Sequence, residues 1–276
     1  IKDNPHSEEI VNAFRPVFLQ KAVLMDTLDI PDKETLTVDE YRFKNGVPLI
    51  QQNSMLPQDD SFTTIALALI PAVSQGFPTL TTDMKKLKYL LEEKSITFNE
   101  FFSASAHTAD ELTRKWSENA GISQQAILFL CRMTFSIFLT RKARTLGELS
   151  KKIPWEKGYC PICGSAPVVA RIEQGKGTRW LHCSCCGHAW EFSRVICPSC
   201  ESKEQKEMNY FFVEEKEKDK AFVCEKCKRY LITADKVSEL TTFDPEVSAL
   251  SLVHLDAVLQ EKGYKPMAEC EWNVLS

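Results

Sequence analysis

The chain has 276 residues, 43% of them hydrophobic and 26% charged, which is typical of a folded globular protein rather than a disordered or fibrous one. This length favours two domains over a single core. The net charge of -4 does not supply the broad positive field that nucleic-acid binding normally needs, so the composition argues against a nucleic-acid partner.

The first half of the chain has the apolar periodicity of helices. Apolar residues recur at steps of three and four along five stretches. These stretches are 7–28, 61–73, 81–93, 108–120 and 123–140. The last is apolar on nearly all sides, but its apolar run 126–139 is broken by Arg132 and falls short of the ~20 residues that span a bilayer. We therefore predict a helical domain over residues 1–146, with no membrane insertion.

The second half of the chain has a different pattern of residue types. The polar stretch 147–158 predicts a linker, and short runs of β-branched and aromatic residues after it predict strands. We expect a first metal unit over 159–196 and a second over 197–243. A C-terminal helix and tail follow over 244–276, with the helix running from 245 to 263. The predicted fold class is α+β: an N-terminal helical bundle, a cysteine-rich lobe of two rubredoxin-like or zinc-ribbon units, and a C-terminal helix.

Cysteines are concentrated in that second half, where ten of the eleven lie after residue 150. Eight of them form four C-x2-C pairs, which are Cys160 with Cys163, Cys183 with Cys186, Cys197 with Cys200, and Cys224 with Cys227. Because no secretory segment is visible, this cysteine content indicates metal or redox use rather than structural disulfides. The expected location is the cytoplasm.

We predict that the first two pairs form one four-cysteine metal site and the last two pairs form another. Each pairing closes a local loop at low entropic cost, and an interleaved pairing is the alternative. A C-x2-C turn points two thiolates the same way, and Pro161, Gly164, Gly187 and Pro198 suit such turns. Thiolates select zinc and iron about equally, so the pattern predicts two metal ions without naming them.

Two other interpretations of the cysteines compete with this one. The metal could serve only to fold a lobe with little core. Disulfide bonding or thioredoxin-like exchange within each pair fits less well, because a redox C-x-x-C begins a helix in a βαβ unit.

The remaining cysteines and two histidines are not predicted to be ligands. Cys185 is left out because Cys183 and Cys186 keep the spacing of the other pairs. His182 and His188 flank this knuckle and are expected to pack or hydrogen-bond, since four thiolates already complete a site. Cys131 is expected in the helical core and Cys270 as an incidental thiol.

The arrangement as a whole resembles the formate dehydrogenase accessory protein family, of the FdhE type. The resemblance rests on Cys160-Pro-Ile-Cys163-Gly-Ser, Trp180-Leu-His-Cys183, Arg194-Val-Ile-Cys197-Pro-Ser-Cys200, Cys224-Glu-Lys-Cys227 and the tail from Ser248 to Asp256. In the helical half it is limited to a stretch like Asn45-Gly46-Val47-Pro48-Leu49. The resemblance implies a cytoplasmic, non-catalytic assembly factor with iron favoured in both sites. Its implied partner is the catalytic subunit of a molybdenum- or tungsten-dependent formate dehydrogenase.

Two other functions stay open at this point. The first is a rubredoxin-like electron carrier or redox enzyme, since iron bound by thiolates can cycle between two oxidation states. The second is a zinc-ribbon nucleic-acid binder, for which Lys226, Lys228, Arg229 and Tyr230 form a modest basic and aromatic cluster. No sequence motif of an independent catalytic site is visible, so we expect no enzymatic activity.

Overall fold

Helices dominate the first half of the chain and strands the second, as the predicted fold class requires. The computed structural model describes residues 5–28, 36–53, 60–97, 99–102, 110–212, 219–237 and 243–273. The helices are α1 (Pro5–Thr27), α2 (Glu40–Lys44), α3 (Ser61–Gly76), α4 (Thr81–Glu92), α5 (Asp110–Ala120), α6 (Gln124–Ser150), α7 (Pro245–Ser251) and α8 (Val253–Glu261). The strands are β1 (Pro167–Glu173), β2 (Arg179–Cys183), β3 (Ala189–Glu191), β4 (Met208–Phe212), β5 (Asp219–Cys224), β6 (Arg229–Val237) and β7 (Lys265–Pro266).

These elements form two units. The helical unit takes the described residues within Glu9–Thr35 and Ser54–Lys142. The cysteine-rich unit takes those within Ile1–Glu8, Leu36–Asn53 and Ala143–Ser276.

Aromatic packing fills the core of the helical unit. The Phe62 side chain is fully buried, and its ring lies 5.4 Å from that of Phe101, 5.2 Å from that of Phe102 and 5.7 Å from that of Phe138. Helices α1 and α3 approach closely, because a Cβ atom at Gly76 would lie 2.0 Å from the Ala13 carbonyl oxygen. Only glycine fits there, and α3 ends at this residue.

Helix α6 is longer than predicted. It begins at Gln124 and continues past residue 140 to Ser150, into the stretch that the sequence indicated as a linker. Ala143 and Leu146 are buried, so the apolar face continues past the predicted end and through the basic stretch 141–144 that follows it. A helix dipole favours basic residues near its carboxyl end, but burial of the next turn outweighs that local signal.

One sheet carries both metal units. Its strand order is β3-β2-β1-β6-β5-β4, and β7 pairs with β6. Strands β1, β2 and β3 pair antiparallel, as do β4, β5 and β6. A parallel pairing of β1 with β6, with Val169 opposite Ile232, joins the two sets. The predicted α+β class is confirmed, while the sharing of one sheet was not anticipated.

The C-terminal helix is divided in two, which corrects the single helix predicted over 245–263. The Asp244 side chain caps α7 by accepting from the Val247 amide. The helix stops because Leu252 leaves the helical region, with φ -107° and ψ 15°, and donates its amide to Ala249 at i-3. The Ser251 hydroxyl donates to the Ser248 carbonyl (2.8 Å) and competes with the regular helical bonds. Among the described residues, no helix combines the length and the apolarity needed to cross a membrane.

Candidate metal centres

The first group of thiols lies at one end of β1, β2 and β3, in the turns that lead into or out of these strands. Cys160 and Cys163 lie in the turn before β1, Cys183 ends β2, and Cys186 lies in the turn before β3. The sulfur atoms of Cys160 and Cys186 are 3.6 Å apart, and those of Cys163 and Cys183 are 3.2 Å apart. All four sulfurs lie within 4.8 Å of one another.

The second group repeats this arrangement at the other half of the sheet. Cys197 and Cys200 follow β3, Cys224 ends β5, and Cys227 lies in the turn to β6. The Cys197 to Cys227 and Cys200 to Cys224 sulfur distances are both 3.8 Å, and these four sulfurs also lie within 4.8 Å of one another. The structure therefore brings the predicted cysteines together in the predicted local pairing rather than the interleaved one.

The knuckle turns share one backbone design. The Cys160 amide donates to the Ser165 carbonyl, and the Cys197 amide donates to the Ser202 carbonyl, both at 2.9 Å. In each turn the residue after the second cysteine has positive φ. These residues are Gly164 (81°), Gly187 (66°), Glu201 (56°) and Lys228 (54°). Since two of them are not glycine, the glycine signal reveals only half of the turns.

The sulfur spacing suits a tetrahedral cation. A metal–sulfur bond of ~2.3 Å in a tetrahedron places sulfurs ~3.8 Å apart. The measured distances of 3.2 to 3.8 Å lie near this value and far from the ~2.05 Å of a disulfide. All eight thiols are free. Both groups therefore have the donor set and the spacing of a four-cysteine metal site.

Burial explains why a cation would be needed. Cys160 and Cys186 are buried, and burial raises the pKa of both thiols well above the ordinary value. The opposite shift appears at Cys163, where a hydrogen bond from Cys160 lowers the pKa. A cation among the four sulfurs would offset the cost of burying thiolates. Backbone amides add to this, because the Cys185 and Cys186 amides lie 3.3 and 3.4 Å from the Cys183 sulfur.

The two flanking histidines and Cys185 lie outside both thiol groups. His182 is buried, and its Nε2 atom accepts from the Arg171 Nε atom at 3.2 Å. Burial lowers the pKa of His182 to about 3 and that of His188 to about 4, so both rings are neutral. The Cys131 thiol is buried on α6.

Sequence reasoning missed the segment that holds the first knuckle. The Leu49 amide donates to the Pro161 carbonyl and the Ile50 amide to the Ile162 carbonyl, both at 2.9 Å. The Tyr159 hydroxyl donates to the Gly46 carbonyl at 2.7 Å. Residues 45–50 lie more than 100 positions earlier in the chain, so only their place in the family resemblance could have pointed to them.

The fold and the paired thiol groups define a class of protein: a helical unit joined to a sheet that carries two four-cysteine sites. Comparison with known proteins narrows this class. The family described as FdhE, central domain, matches residues 159–194. The chain is 27% identical over 267 residues to an FdhE homologue of Haemophilus ducreyi, covering 95% of this chain and 82% of that protein.

Two further matches agree. An FdhE homologue of Pectobacterium atrosepticum is 32% identical over 222 residues, covering 76% of this chain and 65% of that protein. The crystal structure of the FdhE protein from Pseudomonas aeruginosa has a TM-score of 0.62 at 18% identity, covering 95% of this chain and 92% of that one, which shows the shared fold. The predicted resemblance is confirmed: the chain is similar to FdhE proteins over most of its length and shares the fold of one of them.

Proposed function

We propose that the chain is a non-catalytic accessory factor that binds the catalytic subunit of a molybdenum- or tungsten-dependent formate dehydrogenase during its assembly. The observation that carries the proposal is that four thiols converge at each of two places in a chain similar to FdhE proteins. A site with four protein ligands has no open coordination position for a substrate, so such a metal favours a structural or electron-transfer role over hydrolysis. The cytoplasm is the proposed place of action.

The proposed metal ligands are the eight cysteines of the two groups. They are Cys160, Cys163, Cys183, Cys186, Cys197, Cys200, Cys224 and Cys227. Iron is favoured by the family resemblance and zinc fits the same thiols. Iron would supply one-electron chemistry, whereas zinc would supply rigidity alone.

Rigidity is what a docking surface would gain from these sites. The first knuckle is fixed to strands on one side and to residues 45–50 on the other, through the amide bonds to Pro161 and Ile162. Ordering these loops before the partner arrives would reduce the entropy lost on binding. Loss of the metal would release the loops, so partner binding should depend on an intact site.

Co-purification tests the proposal with a matched pair of variants. The tagged chain is expressed with the formate dehydrogenase catalytic subunit, and recovery of that subunit is compared for wild type, Cys183→Ser and Cys185→Ser. The two substitutions lie in one turn, but only Cys183 belongs to the thiol group. We expect Cys183→Ser to lose one metal ion and the partner, and Cys185→Ser to keep both. Failure of the folded wild-type chain to recover the subunit would overturn the proposal.

An electron carrier is the second candidate, and the exposure of three thiols favours it. Cys163, Cys200 and Cys227 are half-buried while the other five thiols of the groups are buried, so one side of each site is close to solvent and open to an electron donor. This candidate requires a reversible visible absorption band in the aerobically purified protein. A colourless, zinc-filled protein that still supports formate dehydrogenase activity in cells would exclude it.

A further inference from the structure

A buried arginine reaches from the first metal unit to the second. Arg179 begins β2, the strand that ends at Cys183, and only 1% of its surface is exposed. Its Nη2 atom donates to the Ser193 carbonyl and, at 2.7 Å, to the Ile196 carbonyl. Ile196 directly precedes Cys197, so this side chain holds the backbone that leads into the second thiol group.

Two nitrogens of this guanidinium lack the partners that burial normally demands. The Nε and Nη1 atoms are buried and make no hydrogen bond, and within the described ranges no carboxylate lies at ion-pair distance from Arg179. The guanidinium carbon lies 5.3 Å from the centre of the Phe192 ring and 5.4 Å from that of Phe222. Cation–π contacts offset only part of the cost of burying a charge, so a nearby anion is needed.

The second thiol group is the anion that the surroundings offer. Burial lowers the pKa of Arg179 to about 10, so the side chain stays protonated at neutral pH, while Tyr210 and Cys197 act in the opposite direction. A metal-bound cysteine is a thiolate, and four thiolates around a divalent ion carry two net negative charges.

We propose that Arg179 is a positioning residue for the second metal site: it supplies, from the first metal unit, the buried positive charge that offsets the bound thiolates and braces the backbone at Cys197. The inference rests on the proposed metal binding of the second group. It also links the two sites, because the strand that ends in a ligand of the first carries the counter-charge of the second.

Arg171 provides a matched control in the same sheet. It is also buried, at 8% exposure, but its Nε atom donates to His182 and its guanidinium lies 5.1 Å from the Trp180 ring centre. The charged group that affects the pKa of Arg171 is Glu173, and no cysteine contributes to that shift. A general effect of removing a buried arginine should therefore appear in both variants, whereas the effect on the second site should be specific to Arg179.

The experiment measures metal release from each site separately. The full chain is loaded with Zn²⁺, its zinc content is measured, and it is then challenged with a chelator in the presence of iodoacetamide. Mass spectrometry follows alkylation of the cysteines in each group for wild type, Arg179→Gln, Arg179→Lys and Arg171→Gln. Bound zinc protects its thiols, so the alkylation rate reports release from the site to which each peptide belongs.

The charge argument predicts a specific pattern. In Arg179→Gln, release from the second group should be faster by about 10- to 100-fold, the range of hydrogen bonds to charged groups, with the first group unchanged. Arg179→Lys should stay within about threefold of wild type, since it keeps the charge. Equal acceleration of both groups, no acceleration, or the same acceleration in Arg179→Lys would overturn the inference. If Arg179→Gln does not fold, Arg179→Met, which is also uncharged and has a long side chain, replaces it: release from the second group no faster than in Arg179→Lys would overturn the inference.

The stoichiometry separates this inference from the proposed function. A wild-type chain that binds fewer than two zinc ions overturns the proposed metal sites and the inference with them. Two bound ions with no effect of Arg179→Gln overturns the inference alone.

Discussion

The buried carboxyl of Asp256 should make stability fall as pH rises, and Asp256→Asn should remove this dependence. Asp256 on α8 is 1% exposed, and burial raises its pKa from 3.8 to about 7. The Tyr230 hydroxyl donates to its Oδ1 atom at 2.6 Å, and Gln260 donates to the Tyr230 oxygen at 3.1 Å and to the Asn273 carbonyl at 2.7 Å. An asparagine oxygen can accept the same tyrosine bond, so the variant changes the charge and keeps the contact.

The sign of this pH dependence follows from the raised pKa of the Asp256 carboxyl. Because the folded chain holds this proton more tightly than the unfolded chain, the stabilisation is complete below about pH 4, declines as pH rises through 7, and is lost above it. At ~1.4 kcal/mol per pKa unit, the difference between wild type and variant should change by about 2 kcal/mol between about pH 5.5 and about pH 8.5. Relative to wild type, Asp256→Asn should therefore be more stable at about pH 8.5 than at about pH 5.5.

Urea unfolding at several pH values measures this difference. Loss of metal at low pH affects wild type and variant alike, so it cancels in the comparison. Asp244→Asn is the control, because this residue caps α7 from an exposed position and asparagine caps helices equally well. Parallel stability curves for wild type and Asp256→Asn would refute the account of a buried carboxyl.

Three further predictions concern the cores and the metal. Phe62→Ala should destabilise the helical unit by about 3 to 5 kcal/mol, as for other buried phenylalanines, and thermal unfolding followed by circular dichroism measures it; a change near zero would contradict the packing described. Gly158→Ala should destabilise by about 1 to 3 kcal/mol, since its Cβ would lie 1.9 Å from the Pro198 carbonyl oxygen. Urea unfolding measures this change, and an unchanged denaturant midpoint would contradict the close approach of Gly158 to Pro198. Metal removal by a chelator should speed amide hydrogen exchange in β1 to β6 but not in α3, whereas uniform exchange would argue against metal-dependent folding.

The site was predictable from the sequence because its signal is local. A C-x2-C pair fixes the relative direction of two thiols within one turn, and the short loops between successive pairs make the local pairing the cheapest in entropy. The sequence therefore identified which cysteines converge. It did not identify the turns completed by Glu201 and Lys228, because their positive φ is imposed by the knuckle geometry rather than by residue preference.

Features that depend on distant partners were not predictable in this way. The parallel pairing of β1 with β6 joins residues more than 60 positions apart. The residue pattern of either strand alone does not predict which strand it pairs with. The bonds from Leu49 and Ile50 to the first knuckle and the reach of Arg179 to Ile196 are also tertiary contacts. The longer α6 shows the same limit, because burial of Leu146 outweighs the basic residues that locally resemble a helix end.

The metal content of the purified chain tests the central claim most directly. Native mass spectrometry combined with elemental analysis should find two iron or zinc ions per chain, with one ion lost in Cys183→Ser and one in Cys200→Ser. A wild-type chain that carries no metal, or whose knuckle cysteines are joined in disulfides, would contradict the account.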